Sequence, residues 1–299
     1  MARSSVFIDS RARSKSLNRC CLLSDVSIGS YDPCQSDWIV AGLISLPFAA
    51  ELASFIDRPE DAVEGALIVA SIIDKDAEVD WARRELDRFA ADFGPGDAGH
   101  ICGELRRLGF QGAGRNYYAV DNSRLDSVLR SKRGIPISLA MVIAGVARRI
   151  GLSTEGVNFP RHFLLTVADE LVDPFELKVT SIEASREWLT DNNLDPNQAF
   201  AVASPIDIVL RMLNNVRSIL QSSGNYLRAL ELSDYQLMLV PEHYGLYIER
   251  ADVWMRLGDR DMVLRELNSA LEHAPSRTIA ERIADRIKDI GNAPSSDLN

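Results

Sequence analysis

The sequence predicts an α+β fold: a helical N-terminal region, a few paired strands laid on a central helix, and α-hairpins toward the C-terminus. Three observations predict it. Helical periodicity runs through residues 37–93 and again through 205–290. Between them the hydrophobic period drops to two over 154–173, the mark of strands with one covered face. The segment 137–150 is apolar on nearly all sides, which places it at the centre of a domain rather than on its surface. At roughly 150 residues per domain, a chain of 299 residues has room for two such units.

Taken in order, residues 1–34 read as a disordered tail. Arg3, Arg11, Arg13, Lys15 and Arg19 stand against Asp9 alone, and no apolar run follows them as a secretory signal requires. The longest apolar stretch, residues 38–50, is interrupted by Ser45 and Pro47 and falls short of the ~20 residues a bilayer needs, so it reads as a buried helix. Turn-like Asp57-Arg58-Pro59 and Asp74-Lys75-Asp76 divide the N-terminal region into three helices. In the third, Ala82, Leu86, Phe89 and Phe93 form one stripe, and Gly94-Pro95-Gly96 ends it. A helix over 98–108 follows, then a glycine-punctuated aromatic loop at 112–118. Asp121-Asn122-Ser123 can cap a helix over 125–130. Gly151 ends the central helix, with Arg148 and Arg149 near its negative end. Strands are expected over 154–158, 162–167 and 171–173, with Pro174 limiting the last.

The C-terminal region carries a repeat. Gly224 and Gly258 are separated by the same interval as Pro241 and Pro275, and that interval also relates Leu213 to Tyr247, Leu220 to Trp254, Ala229 to Val263 and Leu230 to Leu264. The spacing, about 34 residues, is the tetratricopeptide (TPR) period of paired helices. Two helix pairs and a final helix over 279–290 are too few for a free-standing solenoid, so they are expected to pack on the preceding domain. The expected division is thus a tail at 1–34, a domain at 35–204, a TPR-like helical domain at 205–290 and a frayed end at 291–299.

The chemistry is narrowed by scarcity. The net charge of −10 repels phosphate backbones, so nucleic acid is not the expected partner. Four cysteines, Cys20, Cys21, Cys34 and Cys102, are too few and too unevenly placed for a disulfide framework, which fits a reducing cytoplasm. Among the four histidines, His243 and His273 sit at inter-helix positions, and His100 lacks metal-ligand spacing to Cys102. His162 differs: it begins a strand after Pro160-Arg161, and Asp173 lies on the return strand within cross-hairpin reach. An acid on one imidazole nitrogen leaves the other able to take a proton. Ser138, at the start of the central helix, is the candidate third member, either as a nucleophile assisted by His162 or as a helix cap. Cys102 is a weaker substitute nucleophile.

Several blocks carry a resemblance: Tyr117-Tyr118, Asp121-Asn122-Ser123, Arg133-Gly134-Ile135-Pro136-Ile137-Ser138-Leu139, Arg148-Arg149-Ile150-Gly151-Leu152, Gly156-Val157-Asn158-Phe159-Pro160-Arg161-His162-Phe163-Leu164 and Val172-Asp173-Pro174-Phe175. In order and spacing they resemble the bacterial SirB1-type transglutaminase-like protein family over roughly residues 35–290. The resemblance implies a papain-like core, with a cysteine opening the core helix and a histidine and an aspartate on adjacent strands, followed by tetratricopeptide-like helices. On it, His162 matches the histidine and Asp173 the aspartate, whereas the window from Pro136 to Ser138 holds no cysteine. The family pattern Pro-Gly-His-Phe is here Pro160-Arg161-His162-Phe163, so that Arg161 either obstructs the cleft or offers it a carboxylate-binding donor. Tyr117 and Tyr118 either line the cleft or pack as core aromatics. No cofactor and no metal are implied.

The expected function is a noncatalytic or regulatory protein-binding module with a degenerate cleft. The alternative is a serine-dependent amide hydrolase or acyl transferase using Ser138, His162 and Asp173. A purely structural assembly role is a third reading. The expected partner is a protein rather than nucleic acid or membrane, and the oligomeric state is left open.

Overall fold

The computed structural model describes residues 46–292. The expected N-terminal tail, most of the apolar stretch at 38–50, Cys20, Cys21 and Cys34, and all but the first two residues of the expected frayed end lie outside them. Those two residues, Gly291 and Asn292, end the last helix instead.

Four helices open the described chain: α1 (Ala49–Asp57), α2 (Ala62–Ile73), α3 (Val79–Phe93) and α4 (Ala98–Arg107). Two begin on aspartate caps. Asp61 accepts from the Val63 amide at 2.8 Å, and Asp97 from the His100 amide at 2.8 Å. A two-residue strand, β1 (Gln111–Gly112), then leads through the aromatic loop and a single 3₁₀ turn, Val120–Ser123, to α5 (Leu125–Ser131). Parallel to β1 lies β2 (Arg133–Gly134), directly before the central helix α6 (Pro136–Arg149). Every residue of α6 from Pro136 to Ala147 is buried, the outcome its all-round apolarity demands.

The sheet has five antiparallel strands in the order β6-β5-β4-β3-β7, where three were expected. The expected ones are β3 (Thr154–Phe159), β4 (His162–Val167) and β5 (Glu170–Asp173). The additional pair are β6 (Lys178–Thr180) and β7 (Ala201–Ala203), with α7 (Ile182–Asp191) between them. Alternation sorts the side chains onto two faces. Phe163, Leu165, Val167 and Val172 join the main core with α6, whereas Val157, Phe159 and Leu164 pack with Leu189 of α7 on the opposite face.

Five helices complete the chain: α8 (Pro205–Ser222), α9 (Tyr226–Leu239), α10 (Tyr244–Leu257), α11 (Arg260–Glu272) and α12 (Arg277–Asn292), each packed on the next. Gly224 and Gly258 end α8 and α10 in the left-handed region, at φ +77° and +75°, where a side chain would be strained. Helices α8 and α9 pack back on the elements before residue 204, as expected of so few repeat helices. Val209, Met212, Leu213 and Tyr235 of α8 and α9 lie in the main core with α2 and α6, while α10–α12 share a smaller cluster around Ala251, Val263, Leu267 and Ile283. No helix among the described residues is long and apolar enough to cross a membrane.

Candidate functional site

The site is built at one end of the β3–β4 hairpin. Phe159 pairs with His162, so the turn is only two residues, Pro160 and Arg161. Proline presets the first turn position, and the second is forced to positive φ. Arg161 takes that place at φ +60°, a conformation glycine adopts freely and an L side chain does not. Its side chain is exposed and makes no hydrogen bond or ion pair among the described residues.

His162 follows immediately. Its Nε2 lies 3.0 Å from Oδ1 of Asp173, as the cross-strand spacing predicted. The register of β4 and β5 makes them diagonal neighbours on the sheet face away from α6. The Phe159 and Phe175 rings flank the imidazole edge-on, each 6.3 Å away. The same Oδ1 accepts from the backbone amides of Phe175 at 3.0 Å and Glu176 at 3.2 Å. Burial by itself would raise the Asp173 pKa. The hydrogen bond and charge of His162, with the Glu176 and Phe175 amides, outweigh burial and hold the carboxyl below its ordinary value. An ionised Asp173 can only accept, so Nε2 carries the proton that points at it, and in the neutral form of the ring Nδ1 would be the lone-pair nitrogen.

An aromatic path leads away from this pair. Phe175 lies 6.1 Å from Tyr117, and Tyr117 lies 5.2 Å from Tyr118. Tyr117 is half-buried, and burial raises its phenol pKa. Tyr118 is 67% exposed, too open for a core aromatic. Beneath Phe175 runs β1: a Cβ at Gly112 would stand 2.4 Å from the ring, so only glycine admits it there.

Ser138 makes no hydrogen bond to this pair, and of its two expected roles the contacts match the helix cap. Its side chain is fully buried. Oγ accepts from the Ile135 amide at 3.1 Å and lies 2.6 Å from the Asn122 carbonyl and 3.1 Å from the Ile135 carbonyl, to which its single proton is shared. It makes no hydrogen bond to His162. This is the return half of a helix cap, in which the third helical residue satisfies the amide before the helix. Asn122 in turn donates to the carbonyls of Asn116 and Tyr117, so Ser138 braces the loop that carries the tyrosines. Cys102, the substitute nucleophile, is corrected. It is fully buried, and burial pushes its thiol up to about 12, with Glu170 and Asp173 adding to the rise against Arg106.

Sequence reasoning did not single out Arg211 of α8, which reaches the hairpin from fifty residues away. Its place in a helical repeat gave no signal of that reach, because an arginine at a helix surface ordinarily reads as solvent-facing.

In chain order the aromatic loop comes first, then the helix start and then the hairpin, and a family model described as the transglutaminase-like superfamily matches residues 101–214. A UPF0162 protein of Xylella fastidiosa is 31% identical over 200 residues, spanning 63% of this chain and 71% of the relative. The chain belongs to the UPF0162 family. It is also similar to UPF0162 protein PA3419 of Pseudomonas aeruginosa, 28% identical over 273 residues (85% of this chain and 99% of the relative). Protein SirB1 of Salmonella typhimurium is 24% identical over 262 residues, covering 81% and 97% of the two chains.

Proposed function

We propose that the protein is a noncatalytic, regulatory protein-binding module that keeps the recognition half of a transglutaminase-like cleft and has lost its nucleophile. The observation that carries this reading is the division of labour between Ser138 and His162. The hydroxyl is spent on a helix cap, while the imidazole is held by Asp173 through Nε2. Exposed Tyr118 and Arg161 supply the aromatic and cationic contacts typical of interface anchors.

The division at 35–204 and 205–290 belongs to the same proposal, with α8–α12 acting as TPR-like hairpins that offer a second surface. That surface is supported by the 34-residue spacing of Gly224 and Gly258 and by a cavity of about 360 Å³ between α9 and α10, lined by Leu227, Leu230 and Trp254 among others. The serine-dependent hydrolase or acyl transferase remains the second reading, because the His162–Asp173 pair would serve it. It requires Ser138 to leave buried hydrogen bonds that are together worth about 1–3 kcal/mol.

The test places a photo-reactive residue at Tyr118 or Leu227 of the full chain in the native host. Discrete protein adducts that disappear in His162→Ala at the first position, and in Trp254→Arg at the second, are expected. Absence of adducts at both, together with Ser138-dependent turnover of an amide or ester panel, would reverse the reading.

A further inference from the structure

We infer that Arg211 of α8 is a positioning residue for His162, so that the helix after the strands is part of the site. The inference rests on the reading of His162 as the recognition group.

The guanidinium of Arg211 donates to the carbonyls of Phe159, at 3.5 Å, and His162, and to Oδ1 of Asn158 at 3.4 Å. Phe159 and His162 are the pair that closes the two-residue turn. One cation therefore ties both ends of a turn whose second residue, Arg161, stands at φ +60°. Such a turn relaxes if its ends are free, because the left-handed conformation is unfavourable for an L residue. The first side chain to move with it is the imidazole. The Phe163 ring, 5.5 Å from the guanidinium carbon, holds Arg211 from a second side by a cation–π contact.

Arg211 touches the His162 backbone and not its ring, so it acts through His162. A planar guanidinium can serve two carbonyls at once, whereas the lysine ammonium is a point charge on a flexible stem. Arg211→Lys should therefore keep the charge and lose the clamp. The consequence is that α8 sets how firmly His162 is presented.

The experiment compares full-length wild type, Arg211→Lys and Arg211→Met by side-chain ¹⁵N–¹H spectra of His162, with thermal melts in parallel. In the folded variants the Nε2 proton is expected to exchange faster by about tenfold, the factor that corresponds to losing one ordinary hydrogen bond. The imidazole ¹⁵N shifts should move toward the mixed-tautomer values of a free ring. Folded Arg211→Lys with wild-type exchange and shifts would overturn the inference. So would failure of both variants to fold, since Arg211 would then support the whole core rather than one side chain. Loss of the His162 signature with adducts at Tyr118 unchanged would leave the Arg211 role standing and retire the reading of His162 as the recognition group.

Discussion

Asp173 concentrates three hydrogen bonds on a single oxygen, and its depressed pKa converts them into a pH dependence. The folded-state value lies below the ordinary 3.8, so the contribution of Asp173 is complete above that value and is lost as pH falls through the lower, folded one. Asp173→Asn should be less stable than wild type at neutral pH, and the difference should shrink below pH 3.8 in urea titrations. A constant difference at all pH values would mean the carboxylate charge is not what matters. Arg161 gives a prediction of opposite sign. Glycine removes the left-handed strain but adds unfolded-state entropy, leaving a net gain of about 0.5 kcal/mol. Arg161→Val, β-branched and less tolerant of positive φ, should lose stability. Ser138→Ala should cost about 1–2 kcal/mol by releasing the Ile135 amide and the Asn122 carbonyl inside the core, measured by chemical denaturation, and it should leave partner adducts in place.

Among the elements, β1 shows how a two-residue strand controls the site. Gly112→Ala would put a methyl into the Phe175 ring. Because the ring is itself wedged between Tyr117 and His162, the expected loss is about 1–3 kcal/mol, accompanied by a changed ring-current shift on the His162 protons. Unchanged His162 shifts in a folded variant would show that Phe175 does not hold the imidazole. Helices with a clear apolar stripe or apolar on all sides, each followed by a glycine, were legible in the sequence, as α3 and α6 illustrate. Strands β6 and β7 were not, because three residues are too few to display alternation, and β7 is preceded by a polar stretch that ends in Phe200 at φ +72°. The pairing of His162 with Asp173 was legible because it is local to a hairpin. The capping role of Ser138 was among the readings the sequence offered, but its bond to the Asn122 carbonyl was not, because that partner lies sixteen residues upstream in a loop whose path periodicity cannot trace.

Across the whole molecule, the main core continues from the helices and strands before residue 204 into α8 and α9. Tyr235 of α9 is almost fully buried, and its hydroxyl accepts from the Phe48 amide at 3.3 Å, tying the start of the described chain to a helix 187 residues later. A chain ended at residue 204 would expose Val209, Met212 and Leu213 partners in α2 and α6, and is expected to aggregate rather than report on binding. The helical region is therefore best probed by surface substitutions in the intact chain. The central claim is that this cleft recognises without reacting. It is tested most directly by treating the full-length protein with a serine-directed fluorophosphonate and measuring the intact mass. No adduct on Ser138 is expected. A stoichiometric adduct at Ser138 that vanishes in His162→Ala would contradict it.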